Sequence, residues 1–239
     1  PFIIALDATS LSAADTQIPN RLIDYDGFMK NAEKKKKIRG QHRVTEEQFI
    51  KRLVAPALRP LQVFVKPQML KTSNESRGGA VNFDRLKLNA RNTLRQRPDV
   101  VLTTLLDLYG LDTSFPGFAA AKAKPDLDSR VIHLNTVLAT ELVAYVGCRP
   151  ERFIAHIQPH EFEGLLFSDP QALVQIEPGW QESLPKLAGV RASFPTPEHI
   201  NDSYETKPSR RLEALLRPGY KKTRHGPLAA ERVGLSTME

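Results

Sequence analysis

The hydrophobic pattern from Thr45 onward alternates between segments with helical spacing and segments with extended spacing. The capping-box pair Thr45 and Gln48 opens the first helical segment, and Pro56 and Pro60 end it. We predict helices over residues 45–60, 84–97 and about 129–146, strands over 61–70, 100–106 and 153–157, and a further helix that begins at 161–167. An alternation of helices and strands is typical of an α/β fold, so we expect a mostly parallel sheet flanked by helices.

The two ends of the chain depart from this alternation. Residues 1–43 contain a short apolar start, a polar stretch and the basic run Lys34–Lys37. Runs of this kind are usually solvated, and contact with phosphate is the alternative interpretation. Residues 168–239 consist mainly of helical segments interrupted by prolines. We therefore interpret residues 1–43 as an atypical N-terminal segment, replaced or partly disordered, and residues 44–239 as one domain with a helical extension over 168–239.

Composition and charge narrow the function classes. Of the 239 residues, 41% are hydrophobic, which is enough for a globular core, and the net charge of +7 favours an anionic partner such as nucleic acid. A charge of this size can equally serve solubility alone. Cys148 is the only cysteine, which excludes an intrachain disulfide framework and a cysteine-rich zinc site and fits a reducing, cytoplasmic location. No apolar run approaches the ~20 residues that span a bilayer, so we expect no membrane partner.

Acidic side chains follow two of the predicted strands. Asp107 comes directly after the strand that contains Val100, and His160, Glu161 and Glu163 follow the next strand along the chain. Ligands bind beyond the carboxyl ends of the strands in an open parallel sheet, so we expect these side chains to meet. Clustered carboxylates repel one another unless a divalent cation such as Mg²⁺ binds between them. Such a cation can activate water for the hydrolysis of a phosphodiester.

Each of these residues also has a structural interpretation. Asp107 is at a position where an aspartate often stabilises a turn, and Glu161 could complement the dipole of a helix start. His160 could be a buried structural histidine, and Glu163 could be a neighbour that faces solvent. The combination of all four residues after two strands favours the functional interpretation.

Several short motifs stand out around these residues. The most specific is the run Gln158–Phe167, with the sequence Q-P-H-E-F-E-G-L-L-F. The others are Arg77–Gly79, Leu106–Gly110, Phe115–Gly117, Pro208–Leu212 and Pro218–Lys222. Together they resemble a bacterial family of unknown function with a TOPRIM-like fold, over about residues 44–237. The resemblance implies the fold of topoisomerase and primase metal domains and of overcoming-lysogenization-defect nucleases. Members of the family are often encoded in restriction and phage-defence neighbourhoods, sometimes beside an ATPase.

The chain departs from the TOPRIM pattern at three positions, of which Tyr109 is usual for the family. The family's catalytic glutamate belongs to a V-E-G-Q-T-E-E-like run, and His42 stands at the matching position here. The Asp-x-Asp of TOPRIM domains corresponds to Asp107–Tyr109, and a third carboxylate in the long helix corresponds to Asn135. Fewer carboxylates would weaken metal binding. The resemblance leaves Glu46 or Glu47 to substitute for the missing glutamate.

The resemblance ends abruptly at Val44, which affects the expected sheet. The first strand of the TOPRIM-like fold would then be absent, or residues 1–43 would form a substitute strand. A sheet without that strand would expose an edge and part of its apolar face, so we expect marginal stability.

The leading hypothesis is a Mg²⁺- or Mn²⁺-dependent nuclease or phosphotransfer domain that acts on nucleic acid in a bacterial defence context. His160 would orient a ligand or move a proton. The expected metal ligands are Asp107, Glu161, Glu163 and either Glu46 or Glu47, and the expected phosphate and nucleic-acid contacts are Arg77, Arg210, Tyr220, Lys221 and Lys222.

Two other functions remain open. The first is a catalytically inert TOPRIM-like module that binds nucleic acid or an ATPase partner, which the missing glutamate favours. The second is a small-molecule phosphoesterase. It is disfavoured because the sequence has no glycine-rich phosphate loop of the Walker type and no nucleophile elbow.

Overall fold

A computed structural model describes residues 1–8, 45–70, 81–201 and 205–238 of the chain. The strands are β1 Phe2–Ala8, β2 Val63–Met69, β3 Val100–Asp107, β4 Phe153–Ile154 and β5 Ile157–Gln158. The α-helices are α1 Thr45–Phe49, α2 Ala55–Leu58, α3 Phe83–Gln96, α4 Phe118–Lys122, α5 Leu127–Val146, α6 Pro170–Leu173, α7 Leu184–Ala192, α8 Pro208–Leu215 and α9 Lys222–Val233. A π-helical segment, Ile50–Val54, joins α1 to α2, and short 3-10 helices occupy Arg59–Leu61, Leu108–Gly110, Pro150–Arg152, Phe162–Ser168, Trp180–Ser183 and Pro197–His199.

The five strands form one mixed sheet in which β1 has a central position. β1 pairs antiparallel with β2 on one side and with β3 on the other, whereas β4 and β5 pair parallel with β3. The α/β class is confirmed, but the prediction of a mostly parallel sheet is wrong. The strands β2 and β3 run in the same direction, as helix-connected strands do, but β1 inserts between them in the opposite direction.

This central strand comes from the segment that the sequence indicated to be atypical. Residues 2–8 supply β1, with Phe2 opposite both Met69 and Leu105, and residues 9–44 lie outside the described residues. The expected gap at the first strand is therefore filled in the structure. Because β1 pairs along both of its edges, it joins β2 to β3 and completes the sheet on which the site is built.

Alternate residues of β1 enter two separate hydrophobic cores. Ile3 and Ala5 face a core shared with α3 and α5, and Phe2 and Ile4 face a core shared with the C-terminal helices. Each fully buried aliphatic or aromatic side chain contributes roughly 1.5–3 kcal/mol relative to its exposed state. Fully buried members of the two cores include Leu86, Leu102, Leu138, Phe167, Trp180 and Leu212. Helices therefore cover both faces of the sheet, as the sequence predicted.

Local signals set the bounds of the long helices. The side chain of Asn82 begins α3 by accepting hydrogen bonds from the N–H groups of Asp84, at 2.9 Å, and Arg85, at 3.3 Å. Asp126 caps α5, and Gly147 ends it with a φ of 69°. Both helices lie within two residues of their predicted bounds. Among the described residues, no helix is both long and apolar enough to cross a bilayer.

The predicted capping box at Thr45 has a different role in the structure. The hydroxyl of Thr45 donates to the carbonyl oxygen of Lys222 at 3.1 Å, and the side-chain oxygen of Gln48 accepts from Nε of Arg52 at 3.2 Å. These bonds do not form a box, because neither side chain bonds the other's backbone. The Thr45 bond instead ties the start of α1 to the start of α9, which places both helices at the site.

The predicted strand 153–157 is divided into β4 and β5. The buried hydroxyl of Thr104 bonds both the carbonyl oxygen and the N–H of His156, at 2.9 Å each, so that the side chain of β3 interrupts the ladder. Beyond this point the N–H of Ile157 donates to Oδ1 of Asn135 at 2.9 Å. Asn135 therefore holds β5 in place from α5, and the 3-10 helix Phe162–Ser168 takes the place of the helix predicted to begin at 161–167.

Candidate functional site

The strands β3 and β5 deliver Asp107 and residues 160–163 to the same edge of the sheet. They run parallel, with Asp107 opposite Gln158. The charge of Glu161 is close enough to contribute to the pKa of Asp107. The structure thus brings together acidic groups that are separated by about fifty positions in the sequence.

Asp107 is a half-buried carboxylate with no salt bridge to any described residue. Its Oδ1 accepts a hydrogen bond from the N–H of Tyr109 at 2.9 Å. Desolvation by burial raises the pKa of Asp107, and the negative charge of Glu161 adds to this effect. The Tyr109 bond and the charge of Lys222 offset the rise only in part. A carboxylate perturbed in this way marks a candidate functional site.

Glu163 is fully buried and is held by residues near the start of α9. The hydroxyl of Tyr220 donates to Oε1 at 3.3 Å, and Nζ of Lys222 lies 3.0 Å from Oε2. A carboxylate removed from water requires such partners, because its desolvation is otherwise very costly. Burial and the neighbouring Glu163 raise the pKa of Tyr220, so the phenol remains a hydrogen-bond donor.

Lys222 lies among the carboxylates although its side chain is 40% exposed. Its Nζ is 3.5 Å from Oε1 of Glu46, in addition to the contact with Glu163. Desolvation disfavours the ammonium, but the charges of Glu163 and Glu46 outweigh it and raise the pKa of Lys222. The second oxygen of Glu46, Oε2, is buried and has no hydrogen-bond partner among the described residues.

Glu161 is paired with a lysine side chain. Its Oε1 is 2.8 Å from Nζ of Lys207, and its Oε2 accepts from the N–H of Ser209 at 3.2 Å. Desolvation works against the ionised form, but the bonds from Lys207 and Ser209 outweigh it and lower the pKa of Glu161. Glu161 is therefore fixed as a carboxylate by the start of α8.

His160 is buried beneath an exposed aromatic ring. The rings of His160 and Tyr109 stack with centroids 5.2 Å apart and planes 21° apart, and Tyr109 is 64% exposed. On its other side, Nδ1 of His160 lies 3.3 Å from Nδ2 of Asn201. These contacts fix the orientation of the imidazole next to Glu161.

Comparison with protein families identifies one match. DUF4276, a domain of unknown function, matches residues 44–239. The chain belongs to the DUF4276 family. Comparison with curated proteins and with solved structures gave no match. The start of the DUF4276 domain coincides with the position at which the sequence resemblance begins. The matched family has no assigned activity, and the TOPRIM-like relationship remains a prediction.

Four acidic residues of the DUF4276 domain form the centre of the site. We call Glu46, Asp107, Glu161 and Glu163 the carboxylate cluster. Within the described ranges, no three or more His, Cys, Asp or Glu side chains are placed to hold a metal ion together. The two lysine ammonium groups described above separate the carboxylates and supply part of the positive charge that a cation would bring.

The other metal-ligand candidates occupy different positions. Glu47 forms an ion pair with Lys51 one helical turn later and is not part of the cluster. Asn135, which matches a carboxylate position of the resembled family, bonds the N–H of Ile157. It therefore positions the strand that leads to the cluster. His42 lies outside the described residues.

The residues predicted to bind phosphate divide into two groups. Tyr220 and Lys222 face the carboxylate cluster, and Tyr220 is buried. Arg210 forms a surface ion pair within α8, and Lys221 is exposed and directly precedes Lys222. Arg77 lies outside the described residues. Of the described basic candidates, Lys222 is the one that contacts the carboxylate cluster.

Sequence reasoning missed the residues that hold the DUF4276 site together. Lys207 pairs with Glu161, and it directly precedes the P-S-R-R motif noted in the sequence. Gly226 lets α9 approach α1, because a Cβ at this position would lie 2.5 Å from Cγ2 of Thr45 and 3.0 Å from the hydroxyl of Tyr220. A glycine inside a helix next to a P-G-Y-K-K motif is the only signal that could have indicated this contact.

Proposed function

We propose that this chain is a metal-dependent phosphodiesterase that acts on nucleic acid, with the carboxylate cluster as its site. The observation that carries the proposal is Asp107, a desolvated carboxylate at the carboxyl end of the central β3 strand that no described lysine or arginine pairs. An uncompensated carboxylate at this position costs stability, and the usual reason to retain such a group is chemistry.

The charge balance of the cluster favours a divalent cation. Four carboxylates face two lysine ammonium groups, Lys207 and Lys222. The ionised cluster therefore remains negative. All of its donors are oxygens, which suit hard cations such as Mg²⁺ and Mn²⁺.

The unpartnered Oε2 of Glu46 supports the same conclusion. A buried carboxylate oxygen without a hydrogen bond has a lone pair available for a cation. Glu46, Asp107 and Glu163 would hold the ion after the ammonium of Lys222 moves away and their side chains reorient, because no three of them are placed to do so in the described arrangement. A bound cation would lower the pKa of a coordinated water and offset charge on a phosphate. Lys207 would keep Glu161 ionised as a proton acceptor, and His160 would keep its fixed orientation beside it.

The basic character of the chain suits an anionic substrate. The net charge is +7 and the pI is about 9.5. Lys222 donates to Glu163 and retains further N–H groups on its partly exposed ammonium, so it can contact a phosphate at the rim of the cluster. Binding of this kind weakens as the salt concentration rises.

A second candidate function is a catalytically inert module that binds nucleic acid or an ATPase partner. The specific observation in its favour is the Lys222–Glu163 ion pair, which already neutralises one carboxylate of the cluster. In this case the cluster would serve the packing of α9, and nucleic-acid binding would not require a metal.

Calorimetric titration with Mn²⁺ and Mg²⁺ tests the proposal. The parent chain is compared with Asp107→Asn, with Glu46→Gln and with the matched control Glu182→Gln, whose exposed side chain lies outside the cluster. We expect binding by the parent and the control, and loss of binding by both cluster variants. Cleavage of labelled single-stranded and duplex DNA and RNA should follow the same order and stop with EDTA. Absence of metal binding by the parent, together with nucleic-acid binding that EDTA leaves unchanged, would favour the inert module.

A further inference from the structure

A polar groove lies between α3 and the strands β1 and β2, away from the carboxylate cluster. Its volume is about 300 Å³, and its lining includes Lys66, Gln68, Asn89, Asn92, Gln96 and Arg97. We call it the amide groove. None of the described acidic side chains lines it.

The amide side chains of the groove come from α3 and from β2. Asn89, Asn92 and Gln96 recur at helical spacing along α3, and Gln68 projects from β2 on the same side of the sheet. Among the described residues, the side chains of Gln68, Asn92 and Gln96 make no hydrogen bond. Each carries one acceptor and two donor hydrogens, so the groove offers paired donors and acceptors to a ligand.

The free positive charge at the groove comes from Lys66. This side chain is exposed and forms no ion pair with a described residue. The guanidinium of Arg97, by contrast, lies 2.6 Å from Asp7 and 3.1 Å from Asp99. Lys66 can therefore bind an anionic group, whereas the charge of Arg97 is already paired with two aspartates.

We propose that the amide groove binds an adenine nucleotide. An asparagine or glutamine amide can bond the N6 and N7 positions of adenine in a bidentate manner, and Lys66 would bind the phosphate. Phe64 is 50% exposed and lies two residues before Lys66 on the same face of β2, where it can stack on a neighbouring base. The groove lies apart from the carboxylate cluster, and the proposal does not depend on phosphodiesterase activity.

The same chemistry serves a free nucleotide or one unit of a single strand, so the test includes both. Fluorescence anisotropy with labelled (dA)12, (dT)12 and AMP is measured in EDTA, and unlabelled AMP is added as a competitor. The variants are Asn92→Ala combined with Gln96→Ala, and Lys66→Gln, with the exposed Lys186→Gln as control.

We expect the parent to bind (dA)12 in preference to (dT)12. The amide double variant should lose this preference and bind (dA)12 about tenfold more weakly. Lys66→Gln should weaken binding to both strands, and Lys186→Gln should bind like the parent. Displacement of (dA)12 by AMP would assign the groove to a single nucleotide, and binding of (dA)12 that AMP does not compete would assign it to a strand.

Two results would overturn the proposal. One is equal affinity of the parent and the amide double variant for (dA)12, and the other is binding of neither (dA)12 nor AMP by the parent. Because EDTA is present throughout, these outcomes are separate from the metal titration of the carboxylate cluster. An Asp107→Asn chain that still prefers (dA)12 would show that the two sites are independent.

Discussion

The ammonium of Lys222 lies 3.0 Å from Oε2 of Glu163, a carboxylate that is fully buried. This pair joins the start of α9 to the segment that follows β5. It also places a positive charge at the point where four carboxylates approach one another. The chemistry of the cluster therefore depends on whether Lys222 stays in this position or yields it to a cation.

Lys222→Met should reduce the stability of the chain. The substitution leaves Glu163 buried without its counter-charge, and breaking a buried pair costs several kcal/mol. We expect a loss of about 2 kcal/mol in the free energy of unfolding, below the buried-pair range because the Lys222 side chain is 40% exposed. Urea denaturation measures this loss.

A double-mutant cycle with Glu163→Gln isolates the interaction of the pair. Lys222→Met in the Glu163→Gln background should cost at least about 1 kcal/mol less than in the parent. Additive losses would show that the two side chains do not stabilise one another.

Glu161 should make stability depend on pH in the acidic range. The bonds from Lys207 and Ser209 outweigh desolvation and hold the pKa of Glu161 below its ordinary 4.5. The unfolded chain then binds more protons in this window, so the free energy of unfolding falls as the pH drops through the folded-state pKa. We expect this contribution to be present above pH 4.5 and absent from Glu161→Gln. Denaturation between pH 2.5 and pH 6 measures it, and parallel profiles for the two chains would contradict it.

Asp107→Asn should increase the stability of the chain at neutral pH. Burial raises the pKa of Asp107 above its ordinary 3.8, so the folded chain binds a proton at this carboxylate more tightly than the unfolded chain does. The stability that this proton confers is lost as the pH rises through the raised pKa. At pH 7 the amide removes an unfavourable charge, and we expect a gain on the order of 1 kcal/mol. The matched control is Asp112→Asn, because hydrogen bonds from Ser114 lower the pKa of Asp112. Thermal unfolding at pH 7 should show a gain for the first variant and none for the control.

Gly226 and Gly189 provide a matched pair of helical glycines. A Cβ at position 226 would lie 2.5 Å from Cγ2 of Thr45, whereas nothing lies within 4 Å of a Cβ at position 189. Gly189→Ala should stabilise the chain by up to about 1 kcal/mol through helix propensity. Gly226→Ala should destabilise it by roughly 1–3 kcal/mol through overpacking. Equal changes in the midpoint of urea unfolding would show that α9 does not pack closely against α1.

Much of the local structure could be predicted from the sequence. The apolar spacing locates α3 and α5 within two residues, because this signal acts inside a single helix. The capping box at Thr45 was predicted from the same kind of signal, and its hydroxyl instead bonds Lys222. The hydrogen-bond partner of Thr45 lies 177 positions away in the sequence, so no local sequence pattern could indicate it.

The sequence by itself determined the α/β class, the bounds of the long helices and the two acidic segments that meet at one edge of the sheet. Only the tertiary structure decided that β1 runs antiparallel between β2 and β3, because strand pairing depends on contacts between distant segments. It also decided that Lys207 and Lys222 lie among the carboxylates. The sequence gives the type of each ionisable residue. Its desolvation and its partners depend on how the chain folds around it, and these set its pKa and its chemistry.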